Sequence, residues 1–185
     1  MNKKTILSLS LIFSFIIFSG ALIFAVADDD HKERSRERHR GDNHNESYLQ
    51  QVNNLTYKEA CGDCHFVYQP ELLPSASWMR ILANLDDHFG ESIELYDDHR
   101  KAISDYLKSN SAEYSSAKLA VKIMRSLGNQ VPSRITEIPN FREKHHEISP
   151  NILKRESIGS LSNCSACHTT AESGIFDDDN VKIPK

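Results

Sequence analysis

The apolar positions of this chain recur mostly three and four residues apart, the period of an α-helix, and no segment alternates convincingly at period two. The chain therefore reads as mainly α. Residues 47–64 form a loosely amphipathic run, and Pro70 and Pro74 bracket a turn. Ser75 stands where an N-cap is wanted for a helix over 76–88, on which Trp78, Ile81, Leu82, Leu85 and Phe89 share one face. Further helices are predicted over 93–107 and 112–127, the second closed by Gly128 at C′. Pro139 suits the first turn of a short helix over 139–148, and residues 149–185 are loop-rich. This pattern divides into one domain over 48–130 and a smaller one over 131–185. Each is short enough that its own side chains make only a marginal core.

The chain has 185 residues, and its first 27 look different. Lys3 and Lys4 precede an apolar stretch from Ile6 to Phe24, and Ala25-Val26-Ala27 fits small-x-small cleavage. Residues 1–27 are therefore expected to be an export signal, with an uncleaved N-terminal anchor as the alternative. Residues 28–47 contain no apolar side chain and mix five basic with seven acidic ones. They read as a disordered charged spacer, in which His31, His39 and His44 are solvated rather than metal-binding. Loss of Lys3 and Lys4 takes the formal net charge from −4 to −6. That balance argues against a nucleic-acid surface and agrees with docking to a basic patch on another protein.

The chemistry lies in the cysteines. Cys61-Gly62-Asp63-Cys64-His65 and Cys164-Ser165-Ala166-Cys167-His168 are two copies of Cys-x-x-Cys-His, and they use all four cysteines. This is the attachment signature of c-type haem. Each thiol adds to a vinyl group, and the histidine that follows takes the iron as proximal ligand. Two covalent haem c groups are thus expected, on Cys61 and Cys64 and on Cys164 and Cys167, with His65 and His168 as proximal ligands. A porphyrin would also supply the apolar body that the small domains lack. Structural zinc is the main rival, but 99 residues separate Cys64 from Cys164, and zinc gives no reason for a histidine after each pair. A thioredoxin-like pair would need a strand–helix context that is missing.

Four histidines remain as distal ligands: His88, His99, His145 and His146. His88 follows the Ile81–Leu85 face toward the core. His145 shares a face with Phe141 and Ile148, while His146 turns away. His99 sits among Leu95, Ile103, Tyr106 and Leu107 and also faces inward, so periodicity leaves His88 and His99 tied. Met79 is off its stripe, and Met124 belongs to the core. Trp78, Phe66, Tyr68 and Phe141 are the expected haem-packing aromatics.

The stretch from Tyr57 to Pro184 resembles the bacterial dihaem cytochrome c family. The resemblance is carried by YKEACGDCHFVYQPELLPSASWMRILANLDDHFG, RITEIPNFREKHHEI and NCSACHTTAESGIFDDDNVKIP, and the pieces LLPSxSW, LDDHFG and RIT-x4-F-x2-KH are more specific than the haem motif itself. It implies an N-terminal helical haem domain like class I cytochromes c, a small loop-rich C-terminal haem domain, and two histidines on each iron. It places the distal ligands at His88 and His145 and gives no role to His99 or His146. Sequence proximity pairs His88 with the first haem and His145 with the second, although a crossed arrangement satisfies both irons. The resemblance further implies a periplasmic electron carrier that works with a monohaem oxygen-binding cytochrome c and a membrane cytochrome b. The alternative is a small dihaem peroxidase or gas-binding protein with one open or labile axial site. A sensory module is disfavoured by the lack of any output segment.

Overall fold

Asn54 starts the first helix. Its Oδ1 accepts from the Tyr57 N–H at 2.8 Å, which satisfies one of the amides that a helix start leaves free. The helix, α1, covers Leu55–Gly62. Residues 47–54, expected to be helical, are extended instead, with Leu49 and Val52 buried. The structure, a computed structural model, describes residues 47–185. The predicted export signal over 1–27 and the spacer, apart from Ser47, lie outside the described residues.

The helix expected over 76–88 is α2, Ser75–Ala83, followed by a tight turn over Leu85–Asp87. Ser75 is not its N-cap. It lies inside the first turn, and the capping acceptor comes from elsewhere in the chain: the Glu113 carboxylate accepts from the Ser75 N–H at 3.0 Å and from its hydroxyl. α3 covers Asp97–Ser109 and α4 covers Lys118–Leu127. Asp97 and Asp98 in the first turn of α3 suit the positive end of the helix dipole. Both helices begin later than their apolar patterns suggest, because residues 93–96 are not helical and 112–114 form a separate turn. Pro139 opens α5, Pro139–His145, as expected, and a single further turn, α6, covers Pro150–Leu153.

Ile103 and Leu107 of α3, Ala120, Ile123 and Leu127 of α4, and Trp78 and Leu82 of α2 close one core with Leu73 and Ile138. Each fully buried aliphatic side chain contributes about 1.5–3 kcal/mol. α2 and α1 pack on α3, and α4 packs on α5. No strand forms among the described residues, which are mainly helical as expected. Isolated bridges pair His88 with Glu91 and His168 with Val181.

The described residues belong to one compact unit, and the expected boundary near 130 falls inside it. Arg80 Nη1 donates to the Val131 carbonyl at 2.5 Å, and Asn140 N–H to Ser126 Oγ at 3.3 Å. Gln69 Nε2 donates to the Ala171 carbonyl at 2.7 Å, and the Tyr68 hydroxyl to the Ser162 carbonyl at 2.7 Å. The Leu49 N–H donates to the Gly174 carbonyl at 3.3 Å. Only glycine serves at 174: its φ is +77°, and a Cβ there would stand 2.1 Å from the Leu49 carbonyl oxygen.

Candidate functional site

The first Cys-x-x-Cys-His motif sits where α1 ends. Cys61 is in the last turn, and Cys64 and His65 follow on exposed chain. Burial pushes the Cys61 thiol up to about 11. His65 Nδ1 pairs with the Phe66 carbonyl at 2.7 Å, which leaves Nε2 as the free nitrogen. The His88 ring stands opposite, 6.1 Å between centroids and 21° from parallel.

His88 is delivered by the LDDHFG turn, in which Leu85, Asp87, Phe89 and Gly90 each have a physical task. Leu85 is buried and anchors the turn, and its carbonyl accepts from Ile93 N–H at 2.8 Å. Asp87 takes Asn84 Nδ2 on its carbonyl at 2.8 Å and Gly90 N–H on Oδ1 at 3.1 Å. His88 N–H donates to the Glu91 carbonyl at 2.7 Å, and Glu91 N–H returns to His88 at 3.3 Å. Phe89 and Gly90 turn the chain with φ of 61° and 104°. Burial, then the His65 ring and the Arg134 guanidinium, hold the His88 imidazole below its ordinary range. A neutral imidazole keeps the lone pair that a metal needs.

The second motif forms a tight turn over Cys164–Ala166 and is fastened to the C-terminal segment by Lys182 N–H on the Cys167 carbonyl at 2.8 Å. Burial pushes the Cys164 thiol up to about 12. His168 lies 6.1 Å from His145, the rings 61° apart. His145 Nδ1 pairs with the Phe141 carbonyl at 2.7 Å, and Phe141 stacks on its ring at 3.9 Å and 15°. Burial, then the His145 ring, lower the His168 pKa, while Asp178 opposes them. His168 Nδ1 is buried without a protein partner. A cavity of about 740 Å³ opens here, lined by Cys164, Cys167, His168, His145, Phe141 and Phe176 among others.

These arrangements fit the group that the motifs imply. With the histidine–metal distance of about 2.0–2.1 Å found for zinc as a guide, two imidazoles sharing one metal ion would have centroids about 6 Å apart. Both pairs meet that spacing. The uncrossed pairing, His65 with His88 and His145 with His168, is the one the fold brings together.

His99 is a correction. It is exposed in the first turn of α3, beside Tyr96, because the buried part of that stripe begins only at Ile103. His146 is exposed, as expected. Trp78 is a core residue whose Nε1 donates to the Pro70 carbonyl at 2.7 Å, and it does not line the cavity. Phe66 and Tyr68 pack edge to face beside His65. Sequence reasoning missed Phe176, 5.4 Å from His168, and Arg134, 3.9 Å over the Phe89 ring. Both lie within stretches that carry the resemblance, but each sits outside a helix, where periodicity gives no signal. Among the described residues, no group of three or more His, Cys, Asp or Glu side chains forms a cage for a metal ion.

A second cleft, about 470 Å³, is shared by the two attachment loops, with Gly62, Asp63 and His65 from one and Ser165 from the other.

Residues 57–176 match the sequence profile of a family described as dihaem cytochrome c. Among solved structures, the chain is similar to a dihaem cytochrome c from Rhodobacter sphaeroides, at 41% identity and a TM-score of 0.60, over 69% of this chain and 99% of that one. It is also similar to a dihaem cytochrome c from Shewanella baltica OS155, at 36% identity and a TM-score of 0.57, over 71% of this chain and 93% of that one. No curated protein sequence matches this chain.

Proposed function

Because the chain belongs to the dihaem cytochrome c family, whose members carry two covalently bound haem c groups, we propose that it is an electron-transfer protein in which two histidines close each iron. The single observation that carries this reading is the pair of equal ring gaps, 6.1 Å for His65 and His88 and 6.1 Å for His145 and His168. Cys61 and Cys64 hold one haem, and Cys164 and Cys167 hold the other. When bound, haem supplies reversible one-electron exchange at iron.

The chain's own residues do the rest. His65 and His88 would hold one iron and His145 and His168 the other, which would leave no open place on either for a substrate. Histidine on both sides also favours a lower potential than a histidine and methionine pair. The Phe66 and Phe141 carbonyls fix the tautomers of His65 and His145 and make the free nitrogens better donors. Phe141 and Phe176 wall the second site against water.

We place the protein in the periplasm, exported by residues 1–27 and cleaved after Ala27. Covalent haem attachment by the bacterial machinery follows export, which supports that location. Its partners are redox proteins, with a monohaem oxygen-binding cytochrome c and a membrane cytochrome b as the candidates. The acidic balance suits docking to basic surfaces on such partners.

Optical spectra of the matured protein, oxidised and dithionite-reduced, with and without carbon monoxide, test the central reading. Two low-spin haems unmoved by carbon monoxide are expected. His88→Ala and His145→Ala should each convert one haem to high spin. A large carbon monoxide shift in the unmodified protein would overturn the closed-site reading and restore the peroxidase or gas-binding alternative.

A further inference from the structure

We propose that Arg134 is a positioning residue for the first haem site, clamping the His88 strap through the ring of Phe89. The inference rests on reading His88 as an axial ligand.

Phe89 holds a φ of 61°, and among the described residues no other non-glycine residue has a positive φ. Bulky aromatic residues rarely take this conformation, and it persists only where the surroundings over-determine it. Core burial is not what holds it, since Phe89 is 47% exposed. Two ring contacts are present instead. The ring lies 4.7 Å from the His88 ring at 56°, and the Arg134 guanidinium carbon lies 3.9 Å from its centroid, within cation–π range. Planar groups therefore follow one another from His65 to His88, Phe89 and Arg134, with spacings of 6.1, 4.7 and 3.9 Å.

The far end of this series is fixed to the fold. Glu137 Oε2 accepts from the N–H groups of Ser133 at 3.2 Å and Arg134 at 3.3 Å, and Glu137 N–H donates to the Arg134 carbonyl at 3.0 Å. The next residue, Ile138, is fully buried in the core. A turn anchored in the core thus presents a guanidinium to the ring that flanks His88. The bridge between His88 and Glu91 fixes the strap's backbone but not the plane of the imidazole. Phe89 supplies a wall for that plane, and Arg134 keeps the wall in place.

The test uses the haem-loaded full chain with Arg134→Gln, Arg134→Lys, Phe89→Gly and the double variant Phe89→Gly/Arg134→Gln. Cyanide titration of the oxidised protein reports how often a distal histidine leaves its iron, because apparent affinity scales with the fraction released. Electron paramagnetic resonance of the ferric protein reports ligand orientation separately at each haem. Arg134→Gln is expected to raise cyanide affinity about two- to fivefold at one haem only, the range that a cation–π contact is worth at an exposed site. The low-spin signal of that haem should shift, and Arg134→Lys should restore most of both effects. In the Phe89→Gly background the glutamine change should add nothing, as coupling through the ring requires. No change in Arg134→Gln, equal changes at both haems, or the same change without the Phe89 ring would overturn the proposal. His88→Ala identifies the first haem by the low-spin signal it removes. If it removes none, the ligand reading fails and the proposal fails with it. If it removes one while Arg134→Gln is silent, only the role of Arg134 fails.

Discussion

Gly174→Ala probes the seam that joins the N-terminal extended segment to the second haem site. The alanine Cβ would lie 2.1 Å from the Leu49 carbonyl oxygen and 2.7 Å from its carbon, and both are backbone atoms that cannot turn aside. The left-handed φ of +77° costs a non-glycine residue about 1–2 kcal/mol by itself. Relieving the contact must also break the bond from Leu49 N–H to the Gly174 carbonyl, and an unmet buried group costs about 1–3 kcal/mol. Together these amount to about 2–5 kcal/mol, which lowers the midpoint of thermal unfolding by about 6–15 °C in a protein of this size. Gly159→Ala is the control. Its φ is +74° but nothing lies within 4 Å of its added Cβ, so it should lose only the conformational part, about 3–6 °C. Far-ultraviolet circular dichroism melts of the haem-loaded variants give both numbers. Equal losses in the two variants would show that Leu49 does not press on Gly174, and the reasoning about the seam would be wrong.

The ring planes give a spectroscopic prediction: 21° between His65 and His88 should produce a rhombic low-spin ferric signal, and 61° between His145 and His168 a more anisotropic one. Two identical signals would contradict the geometry. The cap on α2 should be acid-sensitive. Burial acts to raise the Glu113 carboxyl, but hydrogen bonds led by the one from the Ser75 hydroxyl outweigh it and hold the pKa below the ordinary 4.5. A depressed folded-state pKa stabilises fully above 4.5 and loses its effect as pH falls through the folded value. Glu113→Gln should therefore cost under about 1 kcal/mol at neutral pH, since the group is mostly solvent-screened, and the urea midpoints of the two proteins should converge in acid. A gap that persists below pH 3 would refute a charge-assisted cap.

Sequence pattern served best where a helix buries its own stripe. Ala120, Ile123 and Leu127 mark α4, and Pro139 marks the start of α5, without help from the rest of the chain. It served poorly where long-range contacts decide. Leu49 and Val52 look like half of an amphipathic helix, yet they are buried as extended chain that reaches Gly174. Ser75 looks like a cap because nothing local reveals Glu113, thirty-eight residues later. His99 lies on the face its spacing suggests but beyond the end of the buried stripe, a limit that periodicity does not contain. The two cysteines and the histidine of each motif are a local signal. Helical spacing separates His145 from His146, but the choice of His88 over His99 comes only from the resemblance, because a strap such as Asn84–Glu91 is held by turn hydrogen bonds rather than by a repeating pattern.

The burial of Cys164 sets the two attachment motifs apart. In the folded chain this thiol is only 9% exposed and burial pushes it up to about 12, so it is protonated and borders the cavity rather than bulk solvent. Thiolate is the reactive form of cysteine, and a thiol in this state reacts slowly. The first motif differs, because Cys64 stands on exposed chain beyond α1. The packing around Cys164 would shield a thioether there from solvent, whereas one on Cys64 would have no such cover.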